Sequence, residues 1–97
     1  MKQIKTVVED FKDKFVVTYH DGETEIRGVS YFESPDVLEF ISKAKSRVEI
    51  YNDGEIDKLV YTNSLESSKE FAKNLTETCG KSLDDVMILD LEHMRIA

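Results

Sequence analysis

Two nearly identical pentapeptides constrain the fold of this chain more than any other feature. The first, YHDGE, spans residues 19–23, and the second, YNDGE, spans residues 51–55. Asp-Gly between segments rich in β-branched and aromatic residues is a strong hairpin signal, because a tight turn needs positive φ angles that Gly, Asn and Asp tolerate. The sequence therefore predicts two β-hairpins with these pentapeptides at their tips.

The turn type sets which residues face each other across each hairpin. A two-residue turn pairs Val17 with Ile26 in the first hairpin and Glu49 with Lys58 in the second, and this is the register that we expect. A three-residue turn with glycine as the bulge residue would shift these pairings. In the strand that leaves the first turn, Gly28 indicates a bulge or a close backbone approach.

Apolar residues at helical spacing predict three helices, two of which precede the hairpins. The first stripe consists of Ile4, Val7, Val8, Phe11 and Phe15. Ser34-Pro35 is typical of a helix start, with a capping serine and proline at the first helical position. A third helix is expected from Leu65 to Thr78 and is stopped by Gly80. One aromatic residue of each helix is expected to be buried: Phe11, Phe40 and Phe71.

The segment after the third helix has two readings. Ser82-Leu83-Asp84-Asp85 could cap a further helix, whereas residues 86–91 form a short apolar run typical of a buried strand, which we favour. The predicted fold is therefore α+β. It has two helix–β-hairpin units, a third helix and a C-terminal strand, in an antiparallel sheet of four to five strands with the helices on one face.

The chain is expected to form a single domain, residues 1–97, because its length and 40% hydrophobic content suffice for one core. An offset of 31 residues superimposes Val29, Glu39 and Phe40 on Val60, Glu70 and Phe71. This match predicts an internal repeat covering about 4–33 and 34–64. The alternative is chance combined with the common chemistry of hairpin turns.

Charge carries the first functional information. Twenty acidic and thirteen basic residues give a net charge of −7, and eleven of the acids but only five of the bases lie in residues 48–97. A negative field repels phosphate backbones and anionic lipids and attracts basic protein surfaces, so direct binding to nucleic acid or membrane is not expected. The alternative is that the acidity serves only solubility.

The sequence contains no catalytic, metal or nucleotide motif. His20 and His93 are far apart, Cys79 has no second thiol, and the four glycines form no phosphate-binding loop. We therefore expect no enzymatic activity, no cofactor and no metal. The single cysteine and the absence of a signal-peptide pattern favour a cytoplasmic location.

The expected function is binding to a protein with a basic surface. We interpret the chain as an inhibitor of the phage anti-defence, immunity or antitoxin type, which occupies the nucleic-acid-binding surface of its partner.

Tyr31 and Tyr51 are expected to share an outer sheet face, since tyrosine is common at interfaces. They could instead pack beneath a loop. The candidate partner-binding residues are Asp53, Glu55, Asp57, Tyr31, Tyr51 and Glu49. The alternative function is a homo-oligomeric structural or regulatory domain that associates through the tyrosine-bearing face or a sheet edge.

Overall fold

The structure, a computed structural model, describes residues 2–10, 13–78, 80 and 85–97. In chain order its elements are β1 (Ile4–Asp10), β2 (Lys14–Tyr19), β3 (Thr24–Gly28), α1 (Pro35–Ser42), β4 (Ser46–Asn52), β5 (Glu55–Thr62), α2 (Leu65–Thr78), β6 (Val86–Asp90) and β7 (Arg95–Ile96). The seven strands form one antiparallel sheet in the order β3-β2-β1-β5-β4-β6-β7. The α+β class is confirmed, but these residues contain two helices and seven strands where three helices and four to five strands were expected. Phe11 lies outside the described residues.

The predicted first helix is wrong, because residues 4–10 form a central strand. β1 pairs with β2 on one side and with β5 on the other. Val7 lies beside Tyr61 and Val8 beside Val60, so the two adjacent valines point to opposite faces of the sheet. Both faces are covered at this point, and a buried valine followed by a half-buried one therefore suits a strand as well as a helical stripe.

The two helices lie on opposite faces of the sheet, which corrects the expectation of one covered face. Val37 of α1 packs in a cluster with Val7 and Val17. Phe71 of α2 packs in a second cluster with Val60. Because the register places these clusters on opposite sides, α1 covers the β1–β2 half of one face and α2 covers the β4–β5–β6 half of the other.

The first hairpin contains a three-residue turn. The Tyr19 amide donates a hydrogen bond to the Glu23 carbonyl, and Gly22 between them has a φ of +91°. Ile26 is consequently paired with Val16 and not with Val17. The expected register is therefore wrong by one residue, as a glycine bulge in the turn requires.

The second hairpin has the expected two-residue turn. Asp53 and Gly54 both have positive φ, +53° and +82°, as in a type I′ turn. An irregularity at Asp57 then shifts the pairing, so that Glu49 faces Leu59 and not Lys58. The turn was therefore predicted correctly, but the bulge beyond it was not.

The first hairpin is preceded by the strand β1 and not by the expected helix, whereas the second hairpin is preceded by α1, as expected, and is followed by α2. The bounds of α2 match the prediction, and β6 confirms the C-terminal strand. The single domain and the internal repeat stay predictions. No helix in the described part of the chain is long and apolar enough to span a membrane.

The start of α1 explains the role of Gly28. Ser34 directly precedes the helix, with Pro35 at its first position, but its hydroxyl makes no capping bond and donates instead to the Gly28 carbonyl at 2.6 Å. A Cβ atom on Gly28 would overlap the carboxylate of Glu33. The expected close approach at this glycine is thus the docking of the segment that leads into α1.

Candidate partner-binding surface

The strand register gathers most of the surplus negative charge at one end of the sheet. A continuous cross-strand row runs through Gly28, Lys14, Asp10, Lys58, Ile50 and Val86. We call this row, together with residues 13, 29–33, 51–57 and 85 beyond it, the acidic end. Its carboxylates are Asp10, Asp13, Glu33, Asp53, Glu55, Asp57 and Asp85. Among the described residues of this end the lysines are Lys14 and Lys58, so seven negative charges face two positive ones there.

The other end of the sheet is close to neutral. Its row runs through Thr24, Thr18, Thr6, Thr62, Ser46, Asp90 and Arg95. We call this row, with residues 2–5, 19–23, 43–45, 63–64 and 91–94, the neutral end; it holds four carboxylates and five Lys or Arg side chains. Several of these pair: Lys2 with Glu23, and Lys45 with Glu92. Charge is therefore separated along the strands, and both halves of the chain contribute to the acidic end.

The three predicted turn carboxylates lie at the acidic end. Asp53 and Glu55 are exposed, and neither forms an ion pair within the described ranges. Asp57, at the bulge, is half-buried, and its Oδ2 lies 4.0 Å from the Lys58 Nζ. The turn thus presents two unpaired carboxylates and one that is loosely paired.

The two predicted tyrosines do not share a sheet face. Tyr31 lies in the loop after β3, whereas Tyr51 lies in β4, and β2, β1 and β5 separate these two strands. The prediction failed because it extended the third strand past Gly28, where the chain leaves the sheet toward α1. Both tyrosines nevertheless lie at the acidic end.

Tyr51 belongs to an internal polar network on β4. Its hydroxyl donates to Glu49 Oε1 at 2.6 Å, and Arg47 Nη2 donates to Glu49 Oε2 at 2.8 Å. The hydrogen bond to Glu49 raises the pKa of Tyr51, because it holds the phenol in its protonated form. Glu49 is buried with both oxygens engaged, so its carboxylate has little capacity left for a partner.

An exposed aromatic pair stands beside the carboxylates. Phe32 is 95% exposed and Tyr31 is 68% exposed, and their rings meet edge to face with centroids 6.3 Å apart. Val29, in the same loop, is 38% exposed. Sequence analysis missed Phe32, although an aromatic residue between the end of a strand and the Ser-Pro start of a helix is a signal that could have indicated it.

The acidic end has a groove on the face that carries α2. Its volume is about 410 Å³, and its lining is apolar apart from Asp10, Asp57 and Lys58. A larger cavity of about 750 Å³ lies toward the neutral end, between α1 and the strands. There Glu39 and Lys43 are paired at 2.8 Å, so the larger cavity carries little unbalanced charge.

The ligands for a metal site do not come together in the described residues. No group of three or more His, Cys, Asp or Glu side chains is placed to hold an ion among them. His93 instead pairs with the buried Asp90, with Nδ1 2.8 Å from Oδ2. This hydrogen bond lowers the pKa of Asp90, since it favours the ionised carboxylate.

Together the fold and the surface describe an α+β protein with one strongly acidic end of its sheet that also carries exposed aromatic rings. No family model, curated protein or solved structure matches the chain.

Proposed function

We propose that this chain is an acidic, non-enzymatic binding protein that inhibits a partner by covering the partner's basic, nucleic-acid-binding surface. The observation that carries the proposal is that the described residues at one end of the sheet include seven carboxylates and two lysines. Carboxylates arranged in this way can take the place of phosphates on such a surface. Immunity proteins, antitoxins and phage anti-defence inhibitors are classes of protein to which this mechanism would apply.

The aromatic pair gives the proposed surface an apolar anchor. Charged groups at the rim of an interface mainly accelerate association, whereas buried aromatic residues supply much of the lasting affinity. Tyr31 and Phe32 are already exposed and lie at the same end as Asp13 and Asp53. Carboxylates for steering and rings for anchoring are therefore available on one surface.

A second candidate function is self-association, which one feature of the sheet favours. Because α1 and α2 lie on opposite faces, neither of the two helices in the described residues covers the half-face over β4, β6 and β7. Tyr51, Met87 and Leu89 are half-buried there, and Ile96 is 64% exposed. A dimer formed through this apolar half-face should persist at high salt, whereas binding to a basic partner should weaken. Sedimentation of the purified chain in low and high salt separates the two.

The proposed inhibition is tested by capture and competition. The immobilised chain is exposed to a lysate of its native host, retained proteins are identified by mass spectrometry, and each is purified and titrated with the chain in the presence of a nucleic-acid duplex. We expect a retained basic protein that is released by salt and whose nucleic acid is displaced by the chain. A partner that binds the chain and its nucleic acid simultaneously would contradict the proposal.

A further inference from the structure

We propose that the groove at the acidic end receives an arginine side chain of the basic partner. This inference rests on the proposed function and adds the chemistry of one contact. It concerns the cavity of about 410 Å³ between α2 and the sheet.

The groove has the two parts that a long cationic side chain needs. Val8, Val16 and Ile50 form its floor on the sheet, and Phe71 and Leu75 form its wall on α2. Asp10 and Asp57 also line the groove, and both belong to the acidic end. Arginine buries its aliphatic stem against apolar surface while its guanidinium pairs with carboxylates, so it matches both parts.

Asp10 has a carboxylate oxygen with unused hydrogen-bonding capacity. Its Oδ1 atom is buried and has no hydrogen-bond partner among the described residues. A buried carboxylate oxygen without a donor is costly, and most such atoms in folded proteins are paired. A guanidinium in the groove would supply the missing donor once the Asp10 carboxylate rotates to expose this oxygen.

The two neighbouring lysines leave these carboxylates available. Lys14 Nζ lies 3.9 Å from Asp10 Oδ2, and Lys58 Nζ lies 4.0 Å from Asp57 Oδ2, both too far for hydrogen bonds. The lysine side chains are 43% and 38% exposed, so they can turn into water when another cation enters. Because each lysine is partly exposed and makes no hydrogen bond to its carboxylate, displacement of the lysine should cost little.

Arginine is favoured over lysine as the occupant. The guanidinium is planar, more weakly hydrated than an ammonium, and able to donate to two oxygens at once. It is also enriched in the cores of protein interfaces. A partner surface that binds nucleic acid contains arginine side chains, because arginine contacts phosphates.

The test uses N-acetyl-arginine methylamide as the probe and methyl-labelled protein observed by NMR. We expect saturable shifts at the methyl groups of Val8, Val16, Ile50 and Leu75. The citrulline analogue has the same shape without the charge and should produce none of these shifts. The lysine analogue should bind at least about three-fold more weakly than arginine.

Two charge variants and a matched control locate the site. Asp10→Asn and Asp57→Asn should each weaken binding of the arginine probe at least about five-fold. Asp53→Asn removes the same charge from the same end outside the groove and should leave the affinity within about two-fold. Amide spectra establish that each variant is folded, and two independent groove variants guard against a folding defect in either.

The inference is overturned by any of three results: no shifts at these methyl groups, equal shifts with the citrulline analogue, or equal affinity for the lysine analogue. Its failure is distinguishable from failure of the proposed function. If the groove stays empty while a captured partner still binds the acidic end, only the groove assignment falls. If no basic partner binds while arginine fills the groove, the inhibitory function falls together with the basic partner as the source of the arginine, and the groove stands only as an arginine-binding site.

Discussion

Gly54 is the residue whose conformation follows most directly from its neighbours in sequence. Its φ of +82° is costly for a β-branched side chain and tolerable for Asn, and a Cβ there would meet no other atom. Gly54→Val should therefore destabilise the protein by about 1–2 kcal/mol, and Gly54→Asn by less. Urea denaturation of both variants measures the difference. Equal losses would mean that backbone conformation does not decide the preference at this position.

Asp90 provides a prediction of pH dependence. Its folded pKa is lowered by the hydrogen bond with His93, so its contribution to stability is present above the unfolded pKa of about 3.9 and is lost as pH falls through the folded value. Asp90→Asn should be less stable than the wild type at neutral pH, and the gap should narrow as pH falls below about 4. Thermal denaturation across this range tests it. A gap that stays constant would show that the carboxylate charge does not matter here.

At the residue scale, the sequence predicts backbone conformation better than it predicts the exposure of side chains. A positive φ at the glycine of each Asp-Gly turn, Gly22 and Gly54, follows from residue type, whereas Asp53 has a positive φ and the equivalent Asp21 does not. The bulge at Asp57 depends on how β5 fits between β4 and β1, which no local pattern records. The exposure of Phe32 depends likewise on where the chain leaves the sheet.

Among the elements, the opposite placement of α1 and α2 predicts independent contributions to stability. Phe40 packs on one core cluster and Phe71 on the other, each half-buried. Phe40→Ala and Phe71→Ala should each cost about 2–3 kcal/mol, less than a fully buried Phe. Because the sheet separates them, the double variant should lose the sum within about 0.5 kcal/mol. A coupling above about 1 kcal/mol in urea denaturation would contradict the arrangement.

The elements that were predicted correctly carry their own signals. α2 has an apolar stripe and a glycine stop, and α1 begins at Ser34-Pro35. β1 was missed because consecutive valines fit both a helical stripe and a strand that is covered on both faces. The choice between helix and strand depends on pairing with β2 and β5, and this pairing is not recorded in the sequence of the segment itself.

In the whole molecule, the position of a carboxylate along its strand, and not its position in the sequence, decides whether it lies at the acidic end. Composition assigned the negative charge to residues 48–97, yet Asp10, Asp13 and Glu33 lie at the same acidic end as Asp53. A control for charge must therefore come from the neutral end. Asp21, Glu23 and Glu92 are exposed there and are suited to this purpose.

The measurement that tests the central claim most directly is the association rate of the captured basic partner with two triple variants. One carries Asp53→Asn, Glu55→Gln and Asp57→Asn at the acidic end, and the other carries Asp21→Asn, Glu23→Gln and Glu92→Gln at the neutral end. Stopped-flow mixing in about 50 and 200 mM salt gives the rate and its salt dependence. We expect the acidic-end variant to associate about ten-fold more slowly with a flatter salt dependence, and the neutral-end variant to resemble the wild type. Equal slowing by both variants, or no slowing by either, would contradict the claim that the acidic end guides binding.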